Sequence, residues 1–195
     1  MQAVGGSNLL VNVSLRLGNV LDAKSNAIFL TVDGELVVSS PKANDRRYGN
    51  VANAFTRRWP DVLENERWYP LRYGDVYAIE PDEEYGCCFQ LVILASVLPH
   101  PHNDQVLQSN SFKTAVRNAI KSMVKEVSNY GLKSCAMGLV KCGWRMSAQD
   151  ALMITVEALD STDVRESGVA VEVFVNDPKE YDLLSAIAGS LGIMT

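Results

Sequence analysis

Apolar and polar residues first alternate from Val11 to Leu17, "VNVSLRL", a period of two that predicts a strand with one face buried. After the break at "GNVLDAKS", Asn26 to Val32, "NAIFLTV", is almost continuously apolar and β-branched, as in a strand covered on both faces. Asp33-Gly34 is a turn signal. Val51 to Trp59, "VANAFTRRW", has helical spacing and stops at Pro60. Asp75 to Glu80 and Cys88 to Val97 predict two strands joined by "PDEEYG". Phe112, Val116, Ala119, Ile120, Met123, Val124 and Val127 fall on one helical face, with N-cap candidates in Ser109 to Ser111 and a stop at Gly131. Ser134 to Val140 predicts a buried strand and Ser147 to Leu159 a second long helix. Ser147 and Asp150 have the spacing of a capping box, with Asp in place of Glu. Gly168 to Val175 predicts the last strand, and Asp177-Pro178, with Glu180 behind it, opens the last helix.

The second half thus alternates helix, strand, helix, strand, helix, which implies parallel strands with helices packed on their faces. The first half is richer in strands. The expectation is a three-layer α/β/α domain on a mixed, mostly parallel sheet. It spans residues 9–195 as one domain, with 1–8, "MQAVGGSN", as a flexible N-terminus or expression remnant. Residues 40–50, "SPKANDRRYGN", are the most loop-like stretch.

Composition narrows the function classes. The 195 residues are 47% hydrophobic and 21% charged, enough for a sizeable core. A net charge of -5 weighs against nucleic-acid and membrane-surface binding, which call for a basic face. Arg46, Arg47, Arg57 and Arg58, with Tyr48 and Trp59 nearby, are the local exception and the one footing for single-stranded RNA. No apolar run is long enough to cross a bilayer, and the first residues lack the pattern of a secretory signal. Cys87, Cys88, Cys135 and Cys142 fit no disulfide framework, so a cytoplasmic protein with reduced thiols is expected. His100 and His102 have a chelating spacing. They follow the strand that Cys87 and Cys88 precede, so no metal site is expected. Cys142 lies near Lys141 and a helix start but has no histidine beside it in sequence to make a nucleophile. A Walker loop and a Gly-x-Gly-x-x-Gly motif are both missing, which disfavours an ordinary ATPase or dehydrogenase.

Two loops carry candidate binding chemistry. In "KCGWR", Lys141 to Arg145, Gly143 lets the backbone approach a ligand, and the helix start behind it offers unpaired N–H groups to an anion. Lys141 and Arg145 add charge, and Trp144 can stack on a flat ring. In "RRYGNVANAF", Gly49 again precedes a helix that Asn50 can cap. Two such loops can clamp a diphosphate. The plainer reading is a tight turn and a capped surface helix.

With these parts in this order, the chain resembles the macro domain, the ADP-ribose-binding fold, over nearly its whole length. "LRLGNVLDAKSNAIFL" is similar to the family's first strand and its Gly-Asp-Ile or Gly-Asp-Val motif, and "NAIFLTVD" to its Asp-Ala-Ile-Val-Asn-Ala-Ala-Asn. "YGNVANAF" resembles the glycine-rich loop and helix, "YGDVYAI" the Gly-Asp-Ala segment and "LVILASVLP" the strand after it. "AVRNAIKSMVKEVSNYGLKSCAMGLV" matches the long helix and following strand, and "KCGWRMSAQDAL" occupies the phosphate loop. The motifs depart in detail. Asn19 stands where the family has the Asp that holds the adenine amino group, and Leu30 and Asp33 replace the ribose-facing asparagines. One glycine of the triplet, Gly49, remains behind a bulky Tyr48. Arg145 and Met146 replace the aromatic and second glycine of the phosphate loop.

The resemblance implies binding of ADP-ribose or a related nucleotide, with little or no hydrolase activity and no cofactor. The implied ligand-binding residues are Asn19, Val20, Asp33, Tyr48, Gly49, Asn50, Val51, Lys141, Cys142, Gly143, Trp144, Arg145 and Asn176. Asp33 is the one candidate for catalysis, as a base or as a partner of a ribose hydroxyl, against a plain turn residue before Gly34. Should the chain be an enzyme at all, an ADP-ribosyl or phosphoester hydrolase is implied. The alternative is a macro-like domain that has lost its ligand and serves as a protein interaction or assembly unit.

Overall fold

The structure, a computed structural model, describes residues 12–33, 50–64, 71–98, 109–142 and 146–195. The segment 1–8 lies outside them, as do residues 40–49 and both histidines.

Among the described residues six strands form one sheet: β1 (Val13–Leu17), β2 (Ala27–Asp33), β3 (Val76–Ile79), β4 (Leu91–Leu98), β5 (Ser134–Gly138) and β6 (Ala170–Val175), in the spatial order β1-β6-β5-β2-β4-β3. All neighbours are parallel except β3, which runs antiparallel to β4 at one edge. This is the mixed, mostly parallel α/β/α sheet the pattern predicts.

The continuous apolar run of β2 has the expected cause. Ala27 and Phe29 face a core shared with α3 (Ser109–Asn129), α4 (Ala148–Leu159) and α6 (Pro178–Ser190). Ile28, Leu30 and Val32 face a second core shared with α1 (Asn50–Arg58) and α2 (Pro60–Glu64). Each large side chain sealed this way contributes roughly 1.5–3 kcal/mol. On α3, the predicted stripe from Phe112 to Val127 is buried residue for residue. That helix ends as Gly131 predicts. Gly131 takes φ +69°, its N–H reaches Ser128 O, and the Leu132 N–H reaches back to Val127 O at 2.9 Å.

Boundaries differ where local chemistry intervenes. The predicted strand at Cys88 begins later, at Leu91, because Trp59 Nε1 holds Gly86 O at 3.1 Å and Phe89 packs on the Trp59 ring, which fixes 86–90 as a loop. Ser109 to Ser111 lie inside α3 rather than before it. The chain does not stop being helical at Pro60. The helix breaks at Trp59 and Pro60 starts α2, where its missing N–H costs nothing. A short α5 (Thr162–Ser167), not foreseen, bridges α4 to β6 and ends at Gly168 with φ +68°.

Gly74 and Gly86 both hold positive φ, at +95° and +61°, in different surroundings. A Cβ at Gly74 would meet the Ala115 Cα of α3 at 3.2 Å, whereas one at Gly86 would meet open space. Gly74→Ala should therefore cost about 2–3 kcal/mol, and Gly86→Ala about 1 kcal/mol from backbone strain alone. Equal losses in urea unfolding would mean that α3 does not confine Gly74.

Candidate functional site

Parallel strands place their outgoing loops at one edge of the sheet, and a ligand cleft opens where neighbouring strands send the chain in opposite directions. Here that point lies between β2 and β5. The chain leaving β2 goes to β3 and β4 on one side, and the chain leaving β5 goes to β6 on the other. Asp33 ends β2, and Lys141 and Cys142 follow β5.

Asn19 and Val20 sit beside this edge. Gly18 donates to Val175 O at 3.0 Å, which carries the β1–β6 pairing one step past the strand. Asn19 then caps a short 3₁₀ turn, Val20–Asp22, its Oδ1 accepting from the Leu21 N–H at 3.1 Å. Val20 and Leu21 are buried in the second core. Arg58, at the end of α1, donates to Leu21 O at 3.1 Å and to Asp22 Oδ1 at 2.6 Å. The turn is thus tied to the helix that follows the Tyr48–Gly49 loop.

The start of α1 comes down on the end of β5. A Cβ at Gly138 would lie 3.2 Å from Val51 Cγ2, so the small residue lets helix and strand meet. This brings Asn50 and Val51 to the same edge as Lys141 and Cys142. Cys142 is buried and holds a left-handed φ of +48°, a strained choice for a residue with a Cβ. The Met146 N–H donates to Lys141 O at 3.2 Å across the intervening loop, and Met146 is buried. Ser147 Oγ then accepts from the Asp150 N–H at 3.0 Å, as the cap predicts, and α4 begins. The loop is anchored on both flanks.

Two features were not foreseen. Lys141 Nζ binds both oxygens of Glu180, at 2.8 and 3.1 Å. The α6 cap is made by Asp177, as its place before Pro178 predicts, accepting from Lys179 N at 2.9 Å and Glu180 N at 3.5 Å, while the Glu180 side chain turns to Lys141. Ser96, on β4 beside Val32, is 1% exposed, and its hydroxyl has no hydrogen-bond partner among the described residues. The visible signal was a lone hydroxyl inside "LVILASVL". Asn176 is exposed after β6. Tyr48, Gly49, Gly143, Trp144 and Arg145 lie outside the described residues, as does the side chain of Asp33. Among the described residues no three His, Cys, Asp or Glu side chains gather as metal ligands, and no helix is long and apolar enough to cross a membrane.

No family model matches the sequence, and no curated protein matches it. Solved structures match its fold. The alphavirus P23pro-zbd superposes with a TM-score of 0.67 at 16% identity over 94% of this chain, which spans 24% of that one. A mutant macrodomain of Oceanobacillus iheyensis gives 0.65 at 14% identity, covering 91% of this chain and 90% of its own. The macro domain of ganglioside induced differentiation associated protein 2 gives 0.66 at 12% identity, covering 93% and 84%. The Oceanobacillus macrodomain is also solved with ADP, at TM-score 0.60, and another mutant of it with ADPR, at 0.61. At such identities the likeness is one of fold: the chain has the macro-domain fold.

The thiols provide a check on this geometry. Cys88 is exposed and Cys87 half-buried, while Cys135 and Cys142 are buried. Burial pushes the Cys87 thiol up, and that of Cys135 far up. Iodoacetamide should modify Cys88 first and Cys87 more slowly, and Cys135 and Cys142 only after unfolding, as read by peptide mass spectrometry. Early labelling of Cys142 would mean that the loop after β5 is open.

Proposed function

We propose that the cleft between the carboxyl ends of β2 and β5 binds ADP-ribose or a related nucleotide, with little or no hydrolysis. The observation that carries this reading is the switch point itself, with the start of α1 seated against Gly138 and Lys141 and Cys142 following β5. That macrodomains of this fold are solved with ADP and ADPR gives the reading its ligand class.

The roles follow from the chemistry. Asn19 Oδ1 spends one lone pair on its own turn and keeps the other for the amino group of the base. The helix start behind Gly143 and the loop through Gly49 supply N–H groups to the two phosphates. Asp33 holds a ribose hydroxyl. Leu30 is fully buried in the second core, so the position of one family asparagine has nothing to offer a ribose or an attacking water. That supports binding without strong catalysis.

One observation favours the second reading, an interaction or assembly unit without a nucleotide. Lys141, a cation at the phosphate loop, is spent on Glu180.

Calorimetric titration with ADP-ribose, ADP and AMP separates the two. Saturable binding, tightest for ADP-ribose and lost in Gly143→Glu at unchanged Tm, is the expected result. Glu180→Gln should release Lys141 and tighten ADP-ribose by about two- to fivefold, the worth of one partly exposed charge. No heat and no thermal stabilisation at millimolar ligand would end the nucleotide reading and leave the protein partner.

A further inference from the structure

The two faces of the sheet are not used alike at the β1–β6 edge. Val13, Leu15, Val171, Val173 and Val175 point into the core beneath α4 and α6. The opposite face carries Ser14, Arg16 and Glu172, and there a depression of about 230 Å³ opens. It lies toward the amino ends of β1, β5 and β6, away from the cleft at the carboxyl ends.

Its floor holds a hydroxyl that faces the opening. Ser14 is 5% exposed, lines the depression, and its side chain makes no hydrogen bond to any described residue, so its O–H is available to a bound group. Beside it, the Glu172 carboxylate is already engaged. Ser25 Oγ donates to one oxygen at 2.6 Å, and Arg16 Nε lies 3.4 Å from the other. Arg16 meets Glu172 through Nε, which leaves the far end of its fork for another acceptor. Lys24, also lining the depression, pairs with no acid among the described residues. Two cations against one satisfied carboxylate leave a net positive charge around an available hydroxyl. The C-terminal segment closes one side: Leu15 N–H donates to Met194 O at 2.8 Å, Met194 N–H to Val13 O at 3.3 Å, and the Met194 side chain forms an apolar rim.

We propose that this depression is a second ligand site, for a small oxyanion (a carboxylate or a phosphate group) held by the Ser14 hydroxyl, the Arg16 guanidinium and the Lys24 ammonium. It does not rest on the nucleotide reading and shares no residue with that cleft. The charges are partly solvated, so the affinity is millimolar.

The test is an amide chemical-shift titration of the full chain with sodium phosphate and, separately, sodium acetate, with ionic strength held constant by sodium chloride. Saturable shifts at Ser14, Arg16 and Glu172 are expected. Lys24→Gln should weaken binding about threefold and Arg16→Gln with Lys24→Gln about tenfold or more, as charge-assisted bonds are lost. Ser14→Ala should weaken it about threefold. Tighter phosphate points to a phosphorylated ligand, tighter acetate to a carboxylic acid, and either supports the site. Shifts that stay linear, appear elsewhere, or persist unchanged in Lys24→Gln, an exposed residue that leaves the fold intact, would overturn it.

Discussion

Everything in this molecule depends on β2 having water on neither face. Ala27, Ile28, Phe29, Leu30 and Val32 are at most 2% exposed. A strand in that position must be flanked on both edges and roofed on both sides, and a one-residue slip would drive every side chain into the wrong core. β4 and β5 supply the edges, α3 supplies one roof, and α1 with α2 supplies the other. The chain meets these demands by leaving β2 toward one side and β5 toward the other. The cleft is therefore a by-product of core formation. The pairing of β2 with β4 shifts register between Val32 and Asp33: Val32 pairs with Ser96 and Asp33 with Leu98, so β4 takes up one extra residue, Val97, at the end of the strand.

What the rim looks like is then set by polar contacts. Arg58 clamps the Asn19 turn, and Glu180 draws Lys141 toward α6. Cys142 bears the backbone strain of the loop after β5, a place where glycine would sit more easily. Each contact orders a segment that carries no apolar stripe of its own. A charge used to hold a loop in shape has less to give to any ligand, and Lys141 is such a charge.

The fold was legible because it is written in periodicities that survive any change in the motifs. The run "NAIFLTV" and the stripe from Phe112 to Val127 describe burial, and burial is what fixes these elements. Caps were legible for the same kind of reason, since Ser147 and Asp177 act on N–H groups within a few residues. The Lys141–Glu180 pair joins residues far apart in sequence, and nothing local announces it. Ser96 was visible as a hydroxyl in an apolar run, but its lack of a partner is a property of the packed sheet. The late start of β4 came from Trp59, a residue on another element. Contacts of that range are where propensity gives way to tertiary structure.

The uneven coverage of the sheet has one more consequence. β1 would be an exposed edge, open to pairing with another chain, but Met194 bonds along it and closes part of that edge. β1 pairs with β6 along one side and is bridged to Met194 on the other, with Ser14 near its start and the Asn19 turn just past its end. It therefore connects the polar depression to the cleft without being able to carry a signal between them. Coupling needs an element with two arrangements that both ligands bias. A strand paired along one edge, bridged on part of the other, and packed beneath by Leu15 against the larger core, offers no second arrangement of that kind. Two ligands on this domain would bind independently, each reading the chemistry of its own end of the sheet.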